Sequence, residues 1–278
     1  EPGIGKSRLI AGLGERIGDQ AHLALELGCS PYEHGSAFHP ATDLLERGLG
    51  FFEDDTPEQK LLKLETRLSA IAGLDAARAI PYLGMLLGLP ESPRFPLEHT
   101  GPELQRELTL QALVAPVLAL AESLPLLLLC EDLHWSDPST LELLTILVEQ
   151  TATAPVFLVL TARPEFHPPW LLRAHHTQIV LNHLSRRHVR EMIARVTARV
   201  VPPPDVIDAI AARTDGVPLF VEELTRAILE TEGTTASYRE VPATLEDSLM
   251  ARLDRLGPAK EVAQVGAVLG REFSYGLL

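Results

Sequence analysis

Two cysteines, Cys29 and Cys130, in 278 residues rule out a disulfide framework. Neither stands at metal-ligand spacing, so both read as small buried residues. Basic residues are also scarce: 24 Lys and Arg face 38 Asp and Glu, a formal net charge of −14. Such a surface repels a phosphate backbone and excludes direct nucleic-acid binding. The densest basic group, Arg186-Arg187-His188-Arg190, is followed by Glu191 on a helical pattern and reads as a solvated helix face. Long hydrophobic runs are missing too. The longest, near Leu126–Cys130, is far too short to cross a bilayer, and no charged-then-apolar signal segment opens the chain. A cytoplasmic, membrane-free protein is expected. His175-His176 lacks a Cys or carboxylate partner at ligand spacing, and there is no internal repeat or low-complexity tract. The 46% hydrophobic content nevertheless supports a sizeable core and more than one domain.

The first seven residues, Glu1-Pro2-Gly3-Ile4-Gly5-Lys6-Ser7, carry most of a phosphate-binding loop of the form G-x-x-x-x-G-K-[ST], and Arg8-Leu9-Ile10 continues it into an amphipathic run. In such a loop glycines let backbone N–H groups curl around phosphate oxygens, the Lys neutralises β/γ charge, and the hydroxyl holds Mg²⁺. The leading Gly would precede Glu1, and the strand that delivers the loop is expected before it, so the sequence predicts a piece of a longer protein.

Short apolar runs alternate with helical patterns, the form of an α/β domain with a mostly parallel sheet. Strands are expected at His22–Leu27, Leu126–Cys130, Val156–Thr161 and Gln178–Leu181. Helices are expected at Lys6–Ile17 and from Asp137, with Asp137 as N-cap and Pro138 in the first turn. Residues 31–122 read as a helical insertion. Leu61, Leu64, Leu68 and Ile71 keep helical spacing before Gly73, and Leu104, Leu108, Val114 and Leu118 do so after Gly101-Pro102. Pro116 should kink or split the second of these, and the proline-rich loop Leu89–Pro96 should separate helical pieces. Beyond Ser185 only helical stripes remain: Val189, Met192, Ile193 and Val196; Val206, Ile207 and Ile210; Phe220, Leu224 and Ile228. After a linker at Gly233–Ser237 come Leu245, Leu249, Leu253 and Leu256, then Val262, Val265 and Leu269.

Three further elements join the loop. The apolar run Leu126–Cys130 ends in Glu131-Asp132, a Walker B pattern in which one carboxylate holds Mg²⁺ through its water shell and the other orients the attacking water. Glu131 occupies the usual metal side and Asp132 the water side, but either could lie closer to the metal. The next apolar run ends in Thr161-Ala162-Arg163-Pro164, where the guanidinium fork of Arg163 suits a γ-phosphate sensor. The last element is Asp215-Gly216-Val217-Pro218-Leu219-Phe220, which ends one helix and starts another.

Together, Gly3-Ile4-Gly5-Lys6-Ser7-Arg8-Leu9, Glu131-Asp132-Leu133-His134-Trp135-Ser136-Asp137-Pro138, Thr161-Ala162-Arg163-Pro164 and Gly216-Val217-Pro218-Leu219-Phe220 resemble the STAND class of signalling P-loop ATPases. The resemblance is to the bacterial branch of large LuxR-type regulators and of proteins where the module follows a class III adenylate/guanylate cyclase domain. Val241–Leu245, Arg252–Leu256 and Gly270–Phe273 resemble the entry into that family's winged-helix domain.

The resemblance implies an ASCE/AAA-like parallel sheet lacking its first, central strand (1–183), a helical lid (184–236) and the start of a winged helix (237–278). It implies an ADP-clamping switch that rearranges on exchange for ATP. Pro218 would pack near adenine, and Arg163 would act as sensor. Gly3, Ile4, Gly5, Lys6, Ser7 and Arg8 would cradle the phosphates, with Ser7, Glu131 and Asp132 at Mg²⁺. Trp135 and Asp137 match the pattern without an assigned chemistry. Implied partners are other domains of the same chain, a cyclase or DNA-binding output and a helical-repeat sensor, with nucleotide-dependent self-association. In the sheet order expected, the P-loop strand lies between the Walker B strand and the strand ending at Thr161; without it the isolated piece should bind ATP weakly. Competing readings are a ring-forming AAA-type motor and a scaffold that has lost nucleotide binding; a small-molecule kinase would need an acceptor-binding constellation that the sequence lacks.

Overall fold

The computed structural model describes residues 1–32, 35–98, 100–197, 203–230, 253, 257 and 259–269. The chain divides into two compact units, residues 11–178 and residues 1–10 with 179–278.

The larger unit is built on three parallel strands in the order β1 (Leu23–Gly28), β2 (Leu126–Glu131), β3 (Val156–Leu160). Every residue of β2 from Leu126 to Cys130 is buried, the mark of a central strand covered on both faces, and half-exposed Glu131 ends it. Four helices fill the interval between β1 and β2: α2 (His39–Leu49), α3 (Pro57–Ser69), α4 (Ala76–Leu86) and α5 (Pro102–Ser123). Their starts follow local chemistry. Thr56 and Gln59 close a reciprocal capping box on α3, Asp75 caps α4, and Gly101-Pro102 opens α5. The proline-rich loop separates α4 from α5 as expected. Helix α6 (Pro138–Gln150) connects β2 to β3, and Leu64, Leu83, Leu126, Leu128 and Leu144 lie in one buried cluster.

Three expectations are corrected here. Pro116 does not split its helix: α5 runs through it for 22 residues, because Pro116 and its neighbours Leu113, Val114 and Ala119 are buried and packing outweighs the one hydrogen bond that proline forfeits. Gln178–Leu181 form no strand. No described strand pairs with them to satisfy a ladder, and Ile179 and Val180 are each 68% exposed. The place expected for a P-loop strand, between β2 and β3, does not exist. Those strands pair directly from Leu126 with Val156 to Cys130 with Leu160, and Thr161 N–H extends the ladder to the Cys130 carbonyl at 2.9 Å.

The smaller unit holds the first residues of the chain, including the start of α1 (Lys6–Ile17), together with α7 (Arg186–Val196), α8 (Pro204–Thr214), α9 (Pro218–Glu230) and α10 (Ala259–Leu269). Val189, Ile193, Val206, Ile207, Ile210, Val221 and Leu224 form its core, each stripe presenting residues at helical spacing. Ser185 caps α7, whose Arg186, Arg187 and Arg190 are exposed, with Arg187 paired to Glu191 at 3.2 Å. The linker Gly233–Ser237, the stretch Val241–Leu245, Leu249, Leu256 and Gly270–Phe273 lie outside the described residues. Among the described residues no helix is long and apolar enough to cross a membrane.

Candidate functional site

In the smaller unit the loop Glu1–Gly5 turns into α1 through two glycines at positive φ, Gly3 at 75° and Gly5 at 104°. A side chain is disfavoured at both. Gly3 also needs its bareness for space, since a Cβ there would lie 2.9 Å from the Cβ of Leu219. Around Gly5 a Cβ would meet nothing within 4 Å, so its peptide is open to an approaching group. Ile4 is buried and anchors the turn, while Ser7 and Arg8 are exposed on the first turn of α1. That turn carries no acidic side chain, and Lys6 Nζ donates to the Glu1 carbonyl at 3.4 Å. A positive-φ glycine loop leading into a helix N-terminus with no acidic residue in its first turn fits a phosphate group.

The same unit brings this loop against the Gly216-Val217-Pro218 segment. Leu219 N–H donates to the Gly3 carbonyl at 3.2 Å. Asp215 and Gly216 both adopt positive φ, 47° and 74°, and Leu184 N–H donates to the Gly216 carbonyl at 2.8 Å. Pro218 starts α9 directly beside this contact. His183, which no motif in the sequence singles out, sets one ring nitrogen 2.7 Å from a Glu1 carboxylate oxygen and the other 3.2 Å from Asp215. The hydrogen bond to Glu1, and after it the charges of Glu1 and Asp215, hold the His183 imidazole above its usual pKa; the same bond holds Glu1 below the usual carboxylate value.

In the larger unit Glu131 and Asp132 stand at the carboxyl end of β2. Asp132 takes the left-handed conformation, φ 57° and ψ 46°, and its N–H donates to the Thr161 hydroxyl at 3.0 Å. Leu133 N–H donates to the Thr161 carbonyl at 2.9 Å. Thr161 therefore ties the turn after β2 to the end of β3, a role readable in the sequence only as a polar residue ending an apolar run. A single 3-10 turn, Leu133–Trp135, follows, and His134 Nδ1 lies 4.0 Å from Asp132 Oδ1. The guanidinium carbon of Arg163 lies 5.3 Å from the centre of the Trp135 ring. Asp137 is buried and accepts from Ser139 and Thr140 N–H, as an N-cap should, and from Phe38 N–H at 3.2 Å. Cys29 and Cys130 are both buried, their sulfurs 4.0 Å apart, with Cys29 Sγ 3.0 Å from Ser136 Oγ. Thus Asp132 is bonded to Thr161, with Glu131 the residue before it and Arg163 set over Trp135, and Gly3 is bonded to Leu219, the residue after Pro218.

The sequence model of the AAA ATPase domain family matches residues 1–159, more than half of the chain. The chain belongs to the AAA ATPase domain family. The chain is 30% identical over 287 residues to an uncharacterized protein of Rhizobium meliloti (strain 1021), an alignment that covers 100% of the chain and 27% of the relative. The chain thus spans about a quarter of that relative's length. AAA ATPase domains bind ATP or ADP with Mg²⁺, and the glycine loop described above suits that group. Among the described residues no cluster of three or more His, Cys, Asp or Glu side chains is arranged to hold a metal by itself. A Mg²⁺ ion held with nucleotide phosphates needs only one or two carboxylates and keeps several waters.

Proposed function

We propose that this AAA ATPase domain is an ATP/ADP-binding regulatory switch with slow hydrolysis, of the STAND type, within a multidomain bacterial signalling protein. The observation that carries the reading is the hydrogen bond from Leu219 N–H to the Gly3 carbonyl. A phosphate loop bonded to the first turn of the helix that follows Gly216-Val217-Pro218 couples the presence of nucleotide to the helical lid, which a switch requires and simple hydrolysis does not.

In this reading residues 1–183 form the nucleotide-binding domain, 184–236 the lid and 237–278 the start of a winged helix. Gly3, Ile4, Gly5, Lys6, Ser7 and Arg8 cradle phosphate, and Pro218 sits near adenine. Ser7 with Glu131 or Asp132 holds Mg²⁺, the other acid orients water, and Arg163 senses the γ-phosphate. That one nucleotide is shared by these residues rests on the order of the motifs along the sequence. The output is a cyclase or a DNA-binding domain of the same protein.

The test is nucleotide titration and single-turnover hydrolysis with the full-length protein and its Lys6→Ala variant. A switch binds ADP tightly, hydrolyses ATP slowly, and loses at least about tenfold in nucleotide affinity on removal of the lysine charge. Fast turnover in ATP-dependent rings would replace the switch with a motor, and absence of nucleotide binding would remove both.

A further inference from the structure

Trp135 has no assigned chemistry in the switch just described, yet its ring carries the guanidinium of the sensor candidate. The turn that bears it is fixed from several directions. Thr161 accepts from Asp132 N–H through its hydroxyl and from Leu133 N–H through its carbonyl. Ser136 N–H closes the turn onto the Leu133 carbonyl at 2.9 Å, and its hydroxyl contacts Cys29. Buried Asp137 then locks the next residues to α6 and to Phe38. The indole is therefore presented on a rigid support. Arg163 follows β3 by three residues and is half-buried, and Thr161 ties its strand end to that same support. The separation of 5.3 Å falls within the roughly 6 Å range of a cation–π contact.

The chemistry of this pairing is informative because the acids Glu131 and Asp132 stand just before the same turn, Glu131 ending β2 and Asp132 as the N-cap. A guanidinium bound bidentately to a carboxylate would give up a strong, charge-assisted pair in order to reach a phosphate. A ring face holds it far less strongly, while keeping its fork of N–H donors oriented.

We propose that Trp135 is a positioning residue for Arg163: a seat that holds the guanidinium beside the Walker B acids and gives it up when a γ-phosphate competes for it. This rests on the reading of Arg163 as the γ-phosphate sensor. The seat and the phosphate then share one cation, so the contact sets how strongly the protein prefers ATP over ADP. Its two members act with opposite sign. Removing the indole frees the guanidinium and tightens ATP relative to ADP, whereas removing the guanidinium weakens ATP relative to ADP. A tryptophan that merely packs would, when removed, loosen both nucleotides alike.

The experiment uses the full-length protein labelled with 5-fluorotryptophan, with the Trp135 ¹⁹F resonance assigned by its loss in Trp135→Phe. Mg²⁺ with a non-hydrolysable ATP analogue should move this resonance toward its position in Arg163→Gln, whereas Mg²⁺-ADP should leave it in place. Calorimetry on the same samples should show Trp135→Leu raising the ratio of ATP to ADP affinity by about 3- to 10-fold, Arg163→Gln lowering it, and Trp135→Phe lying between wild type and Trp135→Leu. Binding of both nucleotides with an unmoved Trp135 resonance, or a loss of affinity for both in Trp135→Leu, would overturn the seat and leave the switch standing. Failure of the wild type to bind either nucleotide would overturn both.

Discussion

Leu219 N–H reaches the Gly3 carbonyl at 3.2 Å, so the phosphate loop and the start of α9 share a backbone hydrogen bond. Close approach of two backbones is possible here because Gly3 has no side chain, and the next segment uses the same device at Gly216, packed on Leu184. A Cβ at Gly216 would overlap the Leu184 carbonyl, and φ of 74° disfavours any side chain. Gly216→Ala is expected to lower stability by about 3 kcal/mol or more, read by denaturant unfolding. Gly5→Ala, with the same backbone objection but open space around it, should cost about 1–2 kcal/mol. Equal losses for the two would show that steric overlap at Leu184 is relieved cheaply.

Asp137 serves three N–H donors from two parts of the larger unit: Ser139 and Thr140 in α6, and Phe38 before α2. Asp137→Ala removes the cap and leaves Phe38 N–H buried without its acceptor, for an expected loss of about 2–4 kcal/mol by urea denaturation. Asp137→Asn keeps an acceptor and should cost about 1 kcal/mol. If alanine proved as mild as asparagine, the link to Phe38 would carry no energy.

Thr161→Val preserves shape and β-branching but withdraws the acceptor from Asp132 N–H. About 1 kcal/mol of stability should go with it. Asp132 sits at φ 57° with its N–H on that hydroxyl, so losing the bond should leave its carboxylate less well positioned. Single-turnover hydrolysis should fall by more than nucleotide affinity does. A variant that hydrolyses at the wild-type rate would show that the hydroxyl does not position the acid.

His183 predicts a pH window. Its folded pKa is raised by Glu1, and that of Glu1 is lowered by His183. The contribution of the imidazolium is complete below its ordinary value and is lost as pH rises through the raised one. The contribution of Glu1 is present above its ordinary value and is lost as pH falls through the lowered one. The contact is therefore intact between the two shifted values. NMR titration of the His183 ring should give a midpoint above that of an ordinary histidine, and Glu1→Gln should bring it down further than Asp215→Asn does. An unshifted wild-type midpoint would remove the contact from the account.

Much of the fold is legible in the sequence alone. The helix Lys6–Ile17, the cap at Asp137, the apolar run through β2 and the three stripes of α7, α8 and α9 depend on neighbours a few residues away, and their periodicity carries the information. The same reasoning misleads at Pro116 and at Gln178–Leu181. In one a buried environment keeps a helix whole; in the other an apolar run finds no ladder.

Local pattern set which residues could form each loop, strand end and cap, because backbone dihedrals and side-chain spacing act over a handful of positions. The partners were a matter of tertiary structure: β3 directly on β2, Thr161 on Asp132, Arg163 on Trp135, His183 between Glu1 and Asp215, and Leu219 on Gly3. Each of these joins residues far apart in the chain, and which distant groups meet follows from how the apolar faces of whole elements are buried together, a property no single stretch of sequence contains.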